Sequence, residues 1–147
     1  MENLQHFIII AATFLWIGFI CAISFMETRL KFRAPGVTLP IGLSIGKLLF
    51  RALNKVEWAF AIIITIGMLI SKGHLNIFIL GGYGLTILLL VMQTLWLLPA
   101  LEKRADVLIS GQTLLPSALH WYFIAVESGK VIALFLSSIC LLRPHFL

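Results

Sequence analysis

Four residues carry chemistry that hydrocarbon does not tolerate cheaply: Glu57, Gln93, Glu127 and Lys130. Each lies in or beside an apolar run. In HWYFIAVESGKVIALFLSSICLL, residues 120–142, the uncharged run after Lys130 is only Val131–Leu142. Those twelve residues make about 18 Å of helix, and a bilayer core needs about 20 residues. The crossing segment therefore reaches back to about Trp121 and takes both charges with it. Glu57 follows the same logic. The uncharged run Trp58–Ser71 has fourteen residues, so its helix must begin near Leu48 or Arg51. A charge at the bilayer centre costs about 2.5–3.5 kcal/mol on insertion scales, so these side chains should face inward.

Helical spacing groups them with other polar residues. His120, Glu127, Lys130 and Ser137 share one face of the last span. Thr13, Trp16, Ile20, Ser24 and Glu27 form a stripe in the first. Asn54, Glu57, Ala61, Thr65 and Met68 do so in the second, and Thr86, Gln93 and Trp96 in the third. Successive helices alternate in direction, so residue number converts to depth in opposite senses. On that basis Asn54, Glu57, Gln93, Glu127 and Lys130 share one layer in the half of the membrane nearer the basic loops.

Two acids against one amine leave an acid without a partner cation. Such a group can bind or carry a proton. The opposing reading is structural: Glu127 and Lys130 are three apart and can pair along one helix, and polar side chains hold membrane helices together. Both readings stand at this point. Gly81, Gly82 and Gly84 are read as allowing close helix approach.

The elements that position these residues follow from composition. Of 147 residues, 61% are hydrophobic, against about 45–50% in soluble domains. Mean hydropathy is +1.06. The expected class is all-α: an integral membrane four-helix bundle, one domain over residues 1–147, with spans at about 7–27, 50–71, 75–98 and 119–142. Pro99 is expected to end the third. The first run lacks a basic start and an A-x-A site, so it reads as a retained span rather than a cleaved signal.

The net charge of +5 is not a nucleic-acid signature once the charges are placed. Arg29, Lys31, Arg33, Lys47, Arg51 and Lys55 cluster around the first connection, and Lys103 and Arg104 around the third. The other side has Lys72 and Arg143. The positive-inside rule puts the basic loops in the cytoplasm and both termini outside. Pro35, Gly36 and Pro40 break any helix in the first connection, and residues 37–50 are read as lying in the interface or re-entering slightly.

Little else suggests catalysis. Cys21 and Cys140 fall in apolar runs, outside any Cys/His cluster, and read as packing residues. His6, His74 and His145 share the outer side, but they fall near a terminus, in a short turn and two residues from the end, so no metal site is assigned. His120, at the basic mouth of the last span, is a proton-relay candidate. No nucleophile–base pair, phosphate loop or dinucleotide motif is present. Catalytic residues are therefore assigned to none.

Two resemblances add to this reading. The segments LWIGFICAISFMETRLKFRAPG, GLSIGKLLFRALNKVEWAFAII, LLPALEKRADVLISG and LHWYFIAVESGKV together resemble a family of small bacterial four-span membrane proteins of unknown function. That likeness covers most of the chain. It implies four helices in a bacterial inner membrane and lends no activity; Glu57 and His120 fall on its recurring positions. The segment RALNKVE, Arg51–Glu57, resembles part of the membrane-associated eicosanoid and glutathione enzymes, which are trimeric. There Arg51, Asn54 and Glu57 would bind glutathione. The expected third-span ending of those enzymes, rich in Arg and Tyr, is replaced here by LLPALEKR.

Three functions compete. The first is a membrane module that binds a small ligand or a proton through Glu57, Glu127, Lys130, Gln93, His120, Asn54 and Trp16. The second is a glutathione-dependent membrane enzyme. The third is a structural subunit of a larger membrane complex or homo-oligomer. In each the lipid bilayer is the constant partner, and nucleic acid is not one.

Overall fold

The structure is a computed structural model that describes residues 2–70 and 76–142. His74, His145, Lys72 and Arg143, named above, lie outside the described residues. Four helices are long and apolar enough to cross a membrane: α1 (Leu4–Arg33), α2 (Leu39–Ile70), α3 (Ile77–Ile109) and α4 (Leu119–Leu142). Large apolar side chains such as Leu69, Ile77, Phe78, Leu88 and Leu95 face outward. In water such a surface would aggregate; against acyl chains it costs nothing.

The helices form a ring in which α1 packs on α2 and α4, and α3 on α2 and α4. The longest are α2 and α3. The 32 residues of α2 and the 33 of α3 make about 48–50 Å each at 1.5 Å per residue, against a core of about 30 Å. Their extra turns project together at the end that carries the basic connections, here termed the basic end. Lys47 pairs with Asp106 at 2.5 Å, and Arg51 holds both carboxylate oxygens of Glu102. These pairs, four residues apart on α2, lock the projecting segments side by side.

The helix boundaries correct the sequence reading in three places. α2 begins at Leu39 rather than near residue 50, so residues 39–50 are part of one continuous helix. Pro40 falls in its first turn, where an N–H has no helical partner to lose. The chain break before it comes from Ala34–Val37: Gly36 has φ +81°, and the Val37 N–H closes the turn on the Ala34 carbonyl at 3.2 Å. Nor does Pro99 end α3. A π-helical turn, Gln93–Leu97, precedes it, with the Leu98 N–H donating to the Gln93 carbonyl. Pro99 then falls in the first turn of a renewed α-segment, Leu98–Ile109. The stop is at Gly111, φ +84°. There the Gln112 N–H reaches the Val107 carbonyl at 3.3 Å and the Gly111 N–H reaches Leu108 at 3.2 Å, a Schellman closure. Caps mark the other starts: the side chains of Asn76 and Ser117 accept from Phe78 N–H at 3.1 Å and Leu119 N–H at 3.2 Å.

Of the glycines Gly81, Gly82 and Gly84 on α3, only Gly82 is pressed against α4. A side chain added at Gly82 would meet Ser137 Oγ and the Ala133 carbonyl of α4, whereas Gly81 and Gly84 have open space. Gly82→Ala should push the helices apart and lower stability by about 1–3 kcal/mol. Gly81→Ala and Gly84→Ala should be neutral or mildly stabilising. Unfolding titrations in mixed micelles compare the three; equal losses at all of them would refute the assignment.

Candidate functional site

Each helix brings one buried stripe to the centre of the ring. On α2 it runs through Leu53, Asn54, Glu57, Ala61 and Ile64. On α4 it includes Phe123, Glu127, Lys130, Leu134 and Ser137. On α3 it holds Thr86, Leu90, Gln93 and Leu97, and on α1 Thr13, Trp16 and Ile20. Where the stripes meet, Trp16, Glu57, Gln93, Glu127 and Lys130 are each 0% exposed.

These five side chains form one connected network. Lys130 Nζ donates to Glu57 Oε1. Trp16 Nε1–H donates to the same oxygen at 3.1 Å. Gln93 Nε2 bridges the carboxylates, 3.0 Å from Glu127 Oε1 and 3.4 Å from Glu57 Oε2. Lys130 Nζ also lies 3.1 Å from Glu127 Oε2. That contact is close enough for charge attraction but misaligned for a hydrogen bond, so Oε2 has no hydrogen-bond partner. Gln93 Oε1 has none either. The amide orientation is fixed by its neighbours: turned over, its oxygen would face two acceptors.

Apolar packing closes the layer above and below. On one side lie Ile9, Ala12, Ile64, Tyr83 and Leu134. On the basic side lie Leu97, Phe123 and Val126, with Phe50 against Phe123 at 4.6 Å between ring centroids. With water excluded, an unmet charge or lone pair here costs far more than at a surface.

The predicted site residues divide. Trp16, Glu57, Gln93, Glu127 and Lys130 come together. Asn54 sits at the edge: its side chain donates to Thr94 Oγ1 at 2.9 Å. Trp58 Nε1–H donates to the same hydroxyl at 3.0 Å, and that hydroxyl donates to the Leu90 carbonyl at 2.8 Å. Thr94 is thus a clamp between α2 and α3. Its position beside Gln93 was the only available signal, and spacing alone does not distinguish it from a lipid-facing threonine. His120 stands apart from the layer. It is exposed and lines a cavity at the basic end, two turns from Glu127. Trp96 is 54% exposed and leaves the stripe, because the π-turn rotates α3 between Gln93 and Leu97. Thr65 likewise lies on an exposed part of α2, 2.9 Å from Tyr83 Oη. Arg51, Asn54 and Glu57 do not converge: Glu102, Thr94 and Lys130 hold them separately.

Glu127 and Lys130 are the ninth and twelfth residues of the 24 in α4, about two to three turns in from its basic end.

His6 meets the Leu141 carbonyl at 2.9 Å. Among the described residues, no group of three or more His, Cys, Asp or Glu gathers as metal ligands would. Cys21 and Cys140 are free thiols. Comparisons with family models, curated proteins and solved structures returned no match to this chain.

Proposed function

We propose that this chain is a multi-pass cell-membrane module that binds a proton in the Glu57–Gln93–Glu127–Lys130 layer, with its basic loops in the cytoplasm. The observation that carries this is the mismatch of charge. Two fully buried carboxylates share one ammonium: Lys130 Nζ donates to Glu57 Oε1 and also lies 3.1 Å from Glu127 Oε2. One negative charge is therefore left in a dry interior, and one bound proton removes it. Gln93 supports the exchange. Turning its amide over would put Oε1 where Nε2 now lies, 3.0 Å from Glu127 Oε1, ready to accept from a protonated carboxyl. Protonation and amide rotation would then be one event. A layer serving only as helix glue needs no second acid, since Glu57 with Lys130 already forms a neutral pair.

Infrared difference spectra of the protein in bilayers test this. A carboxylic-acid carbonyl band should appear and disappear as pH is stepped between about 5 and about 9, the range in which perturbed carboxyls titrate. Glu127→Gln should abolish it, and Glu102→Gln, at the exposed pair, should leave it. A spectrum without a titrating acid band, or one that survives in Glu127→Gln, rules the proposal out.

A further inference from the structure

The basic end holds a second feature that proton binding does not use. A cavity of about 430 Å³ opens between the last turns of α1, the projecting half of α2, the end of α3 and the start of α4. That volume suits a small organic ligand. Its walls are mainly apolar, with Phe32, Leu43, Phe50, Leu98, Leu101 and Leu108 among them. Its charges are mainly positive: Arg29, Lys31, Lys47 and Arg104 against the single acid Glu102.

Lys31 is the built part of this site. Its side chain is only 8% exposed. Its ammonium lies 5.4 Å and 5.5 Å from the ring centroids of Phe32 and Phe50. Gly46 makes the room: a Cβ there would stand 2.5 Å from Nζ. Its one carboxylate contact, Glu27 Oε2, is long at 3.4 Å. An ammonium has three donors, and this one makes a single long hydrogen bond, which leaves it capacity for an anion entering from the cavity. Arg29, in the same wall, is exposed and has no ion-pair partner among the described residues.

We infer that this cavity binds a bilayer-derived amphiphile: one acyl chain carrying an anionic carboxylate or phosphate head group. The head takes Lys31 and Arg29. The chain lies along Phe32, Leu43 and Phe50 toward the Phe50–Phe123 contact that seals the polar layer. Charge selects the anion, and the apolar walls select the chain. The site stands independently of proton binding in the layer below.

Displacement of a fluorescent long-chain fatty acid from the purified full chain in neutral detergent tests this. Unlabelled long-chain fatty acid should displace it. The matching methyl ester, with the same chain and no charge, should be at least about tenfold weaker, since it cannot make the charge-assisted contact. Inorganic phosphate and acetate, heads without a chain, should not compete. Lys31→Met should weaken the acid by a similar factor and leave the ester unchanged. Leu43→Trp, which narrows the cavity but keeps every charge, should weaken both. Equal binding of acid and ester, effective competition by the free anions, or no binding by the wild-type chain would each overturn the assignment.

Discussion

Lys130→Met is expected to cost about 3–5 kcal/mol of stability, because it leaves Glu57 and Glu127 together in a dry layer with no cation. The order of the neighbouring variants is the sharper result. Glu57→Gln should be intermediate: the carboxamide oxygen still accepts from Lys130, but the countercharge is lost and the new NH2 faces other donors, while Glu127 stays within 3.1 Å of the ammonium. Glu127→Gln should be mildest, since it removes the excess charge and a carboxamide can still meet Gln93. Lys130→Met combined with Glu57→Gln should recover more than half of the loss, because the remaining acid can be neutralised by one proton. The sequence left a Glu127–Lys130 pair along one helix as one of two open readings; in the structure Lys130 donates to Glu57 on another helix, which makes Glu57 the acid to remove with it. Mixed-micelle unfolding followed by tryptophan fluorescence measures the series. A Glu127→Gln loss as large as that of Lys130→Met would show that the charge excess has been placed on the wrong acid.

Trp16→Ala should be comparably damaging, at about 3–5 kcal/mol. Trp16 is the largest fully buried side chain among the described residues. Its loss opens a cavity where α1 meets the layer and removes a donor from Glu57 Oε1. Trp16→Phe separates the two effects. It keeps most of the packing and loses only the indole N–H, for about 1.5–3 kcal/mol against a charged acceptor. A second observable accompanies it: with Glu57 less restrained, the titrating carboxyl band proposed above should shift in Trp16→Phe. If Trp16→Phe is neutral in stability and leaves the band unmoved, the indole contributes packing alone and has no part in holding Glu57.

Four apolar helices were legible in the amino-acid sequence because the cost of charge in hydrocarbon depends on composition, residue by residue. The same arithmetic forced Glu57, Glu127 and Lys130 into their helices, since the uncharged runs beside them are too short to cross. Helical periodicity then placed Trp16, Glu57, Gln93, Glu127 and Lys130 on inward faces, and all five are fully buried. Only the tertiary structure decided which of them bond. Whether Lys130 turns to Glu127 three residues away or to Glu57 on α2 depends on helix rotation and separation, set by contacts such as Gly82 against Ser137 that no single stripe encodes. Proline was over-read for a related reason. Pro40 and Pro99 sit in first turns, Pro99 behind a π-turn that also carries Trp96 out of the stripe, and neither ends its helix. The ion pairs of Arg51 and Lys47 with α3, and the cavity around Lys31, arise only once projecting helices lie side by side. Local sequence fixes what a residue pays to be buried; the partner that lowers that cost comes from a distant part of the chain.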